Sequence, residues 1–155
     1  MLIKSLITHI KIHKIIKAVV KNENLLENLS NVFSTNNLKV NFKMDWIGRI
    51  YAVLNPVAAD PSGRIFEYDT SGTNIKSFVH KWIMDRMIAV DRLVKNHELF
   101  DIVTYNIQQI DSDYNFLVTF TPISWDDLKR HLKISGYITG SLLLVSLILI
   151  LIFVV

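Results

Sequence analysis

The chain has 155 residues, half of them hydrophobic, no cysteine and a formal charge of +3. That length suits one modest domain with appendages, and the lack of thiols excludes a disulfide framework, a thiolate nucleophile and cysteine-ligated zinc or iron–sulfur clusters. The charge excess is local: residues 1–21 carry five lysines and no acid, whereas residues 22–133 hold twelve basic and fourteen acidic residues, so the body lacks a basic nucleic-acid-binding surface and no nucleic-acid partner is expected.

Residues 1–37 read as a basic helical arm and linker. Leu2, Ile3, Leu6, Ile7, Ile10, Ile12, Ile15, Ile16, Val19 and Val20 recur mostly at three- and four-residue steps, interrupted by Lys4, Lys11, Lys14 and Lys17. This is the pattern of a basic amphipathic helix. The recurring lysines and histidines break up the unbroken apolar core that a cleaved signal peptide needs. Such a helix can lie on an anionic bilayer, dock on a partner subunit, or pack on its own domain. Lys21–Asn37, with the apolar residues Leu25, Leu26, Leu29, Val32 and Phe33, reads as a short helical segment that ends in a linker at Ser34–Asn37.

Residues 38–123 read as a small α+β domain: an antiparallel sheet packed by one long amphipathic helix. Leu38, Val40, Phe42, Met44 and Trp46 alternate with polar residues, predicting a half-buried strand. Ile47–Leu54 continues in β-type residues around Gly48 and ends at Asn55-Pro56. A turn at Asp60–Gly63 and a short strand at Arg64–Tyr68 follow. Ile75, Phe78, Val79, Trp82, Ile83, Met87, Val90 and Val94 then recur at helical spacing, predicting the main helix to about His97. Phe100–Ile110 and Phe116–Thr121 are β-type runs joined by Asp111–Asn115, a hairpin.

Residues 124–155 read as a juxtamembrane and membrane-spanning helix. Ser124 suits its N-cap, with Asp126 and Asp127 in the first turn, where negative charge complements the helix dipole. From Ile134 to Val155 there is no charged residue, and 22 residues of helix extend about 33 Å, close to the hydrocarbon thickness of a bilayer. Lys129, Arg130, His131 and Lys133 precede this span and nothing charged follows it, which predicts a tail-anchored, single-pass protein whose N-terminal domain faces the cytoplasm. Trp125 is the expected interfacial anchor, and Trp46 and Trp82 the expected core tryptophans. Gly136 and Gly140 form a GxxxG pair through which the span could associate with a second copy.

Motifs that would name a reaction are absent. Asp111-x-Asp113-x-Asn115 opens like a calcium loop, but Phe116 and Pro122 stand where that loop needs glycine and glutamate. His80, His97 and His131 have no partner at metal-ligand spacing, and Gly48, Gly63 and Gly72 form no phosphate loop. No catalytic residue, cofactor or metal is therefore expected. The residues expected to meet the membrane interface are Lys4, Lys11, Lys14, Lys17, Trp125, Lys129, Arg130 and Lys133.

Three functions fit this organisation. The first is a non-enzymatic accessory or structural subunit, held on the lipid bilayer, whose domain docks on a protein partner or a larger assembly. The second is a virus- or phage-encoded virion component whose apolar tail is buried in the particle or meets the host membrane. The third is a membrane-bound enzyme with dispersed site residues, which no motif favours.

Overall fold

A computed structural model describes residues 1–59, 73–94 and 98–154. In chain order the elements are α1 (Leu2–Asn22), α2 (Leu25–Phe33), β1 (Lys43–Met44), β2 (Ile50–Leu54), α3 (Pro56–Ala59), α4 (Thr73–Val94), α5 (Glu98–Ile102), β3 (Val103–Gln109), β4 (Phe116–Pro122) and α6 (Ser124–Val154). The fold is α+β. The predicted turn at 60–63 and strand at 64–68 lie outside the described residues, as does His97.

The sheet has the order β1-β2-β4-β3, and every pair is antiparallel. Strand β4 is central because it alternates cleanly: Phe116, Val118 and Phe120 are buried, while Leu117, Thr119 and Thr121 between them are half-buried. Its partner β2 does the same with Ile50, Ala52 and Leu54, and the register sets Ile50 opposite Phe120 and Leu54 opposite Phe116. The period of two thus delivers two rows of apolar side chains to one face. Helices α2 and α4 cover that face. Leu25, Leu29 and Phe33, each one helical turn apart, meet Ile75, Val79, Trp82, Ile83 and Val90 in a single core. Phe33 is fully buried, with its ring edge-on to Trp82 at 5.7 Å and tilted on Phe42 at 5.1 Å. Arg86 lays its guanidinium 3.9 Å from the Trp82 ring centre, a cation–π lid on the edge of the core.

The segment that alternation predicts as a full strand, 38–46, pairs with the sheet only at Lys43–Met44. Its burial still alternates, with Leu38, Val40 and Phe42 inside and Lys39, Asn41 and Lys43 outside. The backbone of this stretch is bound by two serines one turn apart on α2 and its C-cap. Ser30 Oγ accepts from the Phe42 N–H at 3.0 Å, and Ser34 Oγ accepts from the Val40 N–H at 3.0 Å and donates to the Val40 carbonyl at 3.3 Å. Side-chain hydroxyls stand in for a neighbouring strand. Trp46, predicted inside, is 83% exposed because it sits at the tip of the β1–β2 turn, where the alternation ends.

The predicted strand at 100–110 also begins differently: Glu98–Ile102 forms the short helix α5, and the strand starts at Val103. The hairpin that follows is as expected. Asp111 Oδ1 accepts from the Asp113 N–H at 3.0 Å, and its Oδ2 from the Asn115 side-chain amide at 2.9 Å. The latter bond, chiefly, holds the Asp111 carboxyl below the usual range. Asn55 caps α3, accepting from the Val57 N–H at 3.0 Å, with Pro56 at the first helical position.

Helices α1 and α2, set apart in the sequence as an arm, belong to the same core. Ile16, Val19, Leu25, Leu29 and Phe33 are all buried in it.

Candidate membrane-facing site

Four of the expected interface residues, Trp125, Lys129, Arg130 and Lys133, lie on α6, and the structure shows what surrounds them. Ser124 and Leu128 are buried against the body, whereas every residue from Gly136 to Val154 is exposed. The helix is continuous across that change. Its 31 residues extend about 46 Å, and it is the one described helix long and apolar enough to cross a membrane.

Helix α1 runs antiparallel along the near end of α6. His9 Nδ1 and Ser124 Oγ are hydrogen-bonded at 2.7 Å, and Ser5 Oγ and His131 Nδ1 at 2.6 Å. Rising numbers on α1 thus meet falling numbers on α6. The polar residues making this junction stand in a column: Ser5, His9 and His13 are four apart, so they share one face of the helix. His9 is 8% exposed. Its ring is tilted on Trp125 at 5.6 Å. Burial lowers its pKa from the ordinary 6.5, the nearby His13 lowers it further, and a backbone hydrogen bond to Ile47 works in the opposite direction. The imidazole is therefore neutral at pH 7 and holds its place as a hydrogen-bonding group.

The tip of the β1–β2 turn closes the junction. Asp45 folds this turn by accepting from the Ile47 N–H at 3.1 Å and the Arg49 N–H at 2.9 Å, and its other carboxylate oxygen pairs with Arg49 Nε at 2.7 Å. Gly48 then adopts φ +96°, and a Cβ there would come within 2.6 Å of His13 Cδ2. The turn needs glycine both for its backbone and for the space that His13 takes. It presents Trp46 edge-on to Trp125, with 6.3 Å between ring centres. Between α1, α6 and this turn runs a groove of about 510 Å³. Its walls are apolar at Leu6, Ile10 and Leu132, and cationic at Lys14 and Lys17.

The expected interface residues fall into two groups. Lys4, Lys129, Arg130 and Lys133 gather where α1 begins beside the start of the exposed span; Lys129 and Arg130 also pair along the helix with Asp126 and Asp127 at 3.8 and 3.1 Å. Lys11, Lys14 and Lys17 are exposed on α1 and lead away from the span. Lys17 is twelve residues beyond Ser5, about 18 Å along the helix. Trp125 is half-buried between His9 and Trp46. Gly136 and Gly140 have open space around them, and a Cβ at either would meet nothing within 4 Å.

Of the other histidines singled out, His80 lies 3.0 Å from the Tyr105 hydroxyl and His131 is taken by Ser5. Among the described residues no three His, Asp or Glu side chains converge as a metal site. A second, open groove of about 350 Å³ flanks α4, lined by Met84, Met87, Ile88, Phe100, Val103 and Tyr105 among others. Met84 and Ile88 are 42% and 56% exposed.

Sequence reasoning missed His9, His13, Ser5 and Trp46. The signal for the first three was available: a polar column at four-residue spacing within an apolar helix face predicts a polar docking partner. Comparison with protein-family models, curated proteins and solved structures finds no match.

Proposed function

We propose that the protein is a membrane-anchored, non-enzymatic accessory subunit, in which α6 enters the bilayer and holds the α+β body against the membrane surface for a protein partner. The observation that carries this reading is the unbroken course of α6 from Ser124, buried in the body, to the wholly exposed apolar stretch ending at Val154. A helix exposed on all sides with no charge has no stable place in water, and its length matches a bilayer.

The body faces the cytoplasm in this proposal. Positive charge flanks the inner end of a span, and the antiparallel course of α1 adds Lys4 to Lys129, Arg130 and Lys133 at that end. The exposed apolar side chains Met84 and Ile88 beside α4 support a role in protein contact, since flexible methionine surfaces adapt to partners.

High-pH carbonate extraction of membranes tests the anchor, comparing the full chain with a truncation ending at Lys133, which keeps the α1–α6 junction. The full chain is expected in the pellet and the truncation in the supernatant. Release of both would sink the proposal and place the apolar helix inside a protein assembly.

A further inference from the structure

The outer face of α1 changes character halfway along. Ile3, Ile7, Ile10, Lys14, Lys17 and Lys21 follow one another at steps of four, three, four, three and four residues, which is a single line along a helix. The first three positions are isoleucine and the last three lysine. Nothing in the described chain covers this line: Ile3, Ile7 and Ile10 are 71%, 47% and 44% exposed, and Leu6 beside them 44%. A helix face meant for water would be polar throughout, and one meant for the core would be buried.

The junction with α6 fixes where the apolar half lies. Because Ser5 bonds His131 and His9 bonds Ser124, the first turn of α1 sits level with Leu132 and Ile134, where α6 loses its charges, and Ile7 and Ile10 lie level with the start of α6. Ile3 to Ile10 covers about 10 Å of helix, comparable with the headgroup layer and its acyl boundary. Cations and aromatic rings suited to that layer line its depth: Lys4 on α1 with Arg130 and Lys133 on α6 near Ile134, and the exposed Trp46 against Trp125, about 12 Å from Lys133 along α6.

We propose that the first three turns of α1 are a second membrane contact, seating Ile3 at the headgroup–acyl boundary of the leaflet that α6 enters and Leu6, Ile7 and Ile10 progressively shallower in its headgroup layer, with Lys14, Lys17 and Lys21 on its aqueous side. The occupant of this face is lipid because its outermost residue, Ile3, lies level with the start of the charge-free stretch of α6, so the line leads from that apolar stretch into the cationic level beside it. The inference rests on the anchored reading of α6. It also makes α1 a steeply dipping element, as its antiparallel course beside α6 requires, distinct from a helix lying flat with all its lysines among headgroups.

Since the chain contains no native cysteine, single cysteines introduced as Ile3→Cys, Ile7→Cys, Lys17→Cys and Leu142→Cys can each carry one environment-sensitive fluorophore. The labelled full chain is reconstituted in phosphatidylcholine–phosphatidylglycerol vesicles with and without nitroxide-bearing acyl chains in both leaflets. The labels at 142, 3 and 7 are expected to lose at least about half of their emission to the nitroxide, and the label at 17 to stay within about a tenth of its unquenched signal. If 142 is quenched while 3 and 7 match 17, the second contact is overturned and the anchor stands. If 142 is not quenched, both readings fall. Ile10→Cys, on the same line one turn deeper into the body, checks that a label at 3 or 7 has not displaced α1: emission intermediate between 7 and 17 is the supporting result, and quenching equal to that at 142 would contradict it.

Discussion

The His9 imidazole and the Ser124 hydroxyl, 115 positions apart in the chain, meet at 2.7 Å and join the third turn of α1 to the first residue of α6. Both groups are buried, so the ring Nδ1 and the hydroxyl satisfy each other, while the ring's further hydrogen bond goes to the Ile47 backbone. Ser124→Ala leaves the His9 ring nitrogen without a partner and is expected to cost about 1–3 kcal/mol. Urea unfolding of the full chain in mild detergent measures this, and a loss below about 0.5 kcal/mol would show that the junction tolerates an unpaired ring.

The same histidine predicts a pH dependence. Its folded-state pKa is depressed below the ordinary 6.5, mainly by burial, so on acidification the unfolded chain takes up this proton first. The contribution is complete above the ordinary value and is lost as pH falls from there toward the depressed one. Unfolding free energy should therefore decline between pH 7 and pH 5, and His9→Gln should reduce that slope. An unchanged slope in His9→Gln would assign the acid sensitivity to other groups.

Gly48→Ala is expected to destabilise by about 1–3 kcal/mol through two separable causes, the positive φ and the clash with His13. In the double variant with His13→Ala only the clash is relieved. The second substitution should thus recover part of the loss and leave about 1 kcal/mol from the backbone. Full recovery would mean that the φ of this turn imposes no strain.

Ser30 Oγ accepts from the Phe42 N–H and donates to the Leu26 carbonyl, at 3.0 and 2.7 Å. Replacing Ser30 by Ala frees the Phe42 amide, so hydrogen exchange at Phe42 should accelerate by about tenfold or more, corresponding to a loss of ~1.4 kcal/mol. Protection at Val118, in the central strand, should change only as far as global stability does. Unaltered protection at Phe42 would show that the hydroxyl is dispensable to this segment.

Gly136 and Gly140 touch nothing else in their own chain, so Gly136→Leu should leave the urea midpoint of the body unchanged. If the pair mediates close helix approach, the same change should weaken self-association of the full chain in detergent by sedimentation equilibrium. A shifted midpoint would show that the first turn of the exposed span supports the body.

The elements read correctly from sequence are those whose pattern arises within one segment. Strand β4 alternates over seven residues because its two faces meet different surroundings, and α4 repeats its apolar residues over several turns, so both are visible without knowledge of a partner. The stretch 38–46 shows the limit of that logic. Alternation reports which side chains turn inward, and it cannot tell whether the backbone between them is satisfied by a strand or, as here, by the hydroxyls of Ser30 and Ser34. Glu98–Ile102 is too short for its helical period to register inside an apolar run. The junction at His9 was hidden for another reason: its two halves come from opposite ends of the chain. Only the column Ser5, His9 and His13 hinted that the apolar face of α1 would meet something polar.

The continuity of α6 also determines the direction in which the body points. Because Ser124 and Leu128 are set in the fold and the same helix carries on to Val154, the proposed insertion of α6 in a bilayer would gear the azimuth of the α4 groove around the bilayer normal to the rotational phase of that helix. One residue inserted between Lys133 and Ile134 would turn the body by about 100° and raise it by about 1.5 Å, whereas seven would bring it nearly back to its bearing but about 10 Å higher. A partner fixed in the same membrane would then lose contact after one insertion, and regain its heading without its height after seven.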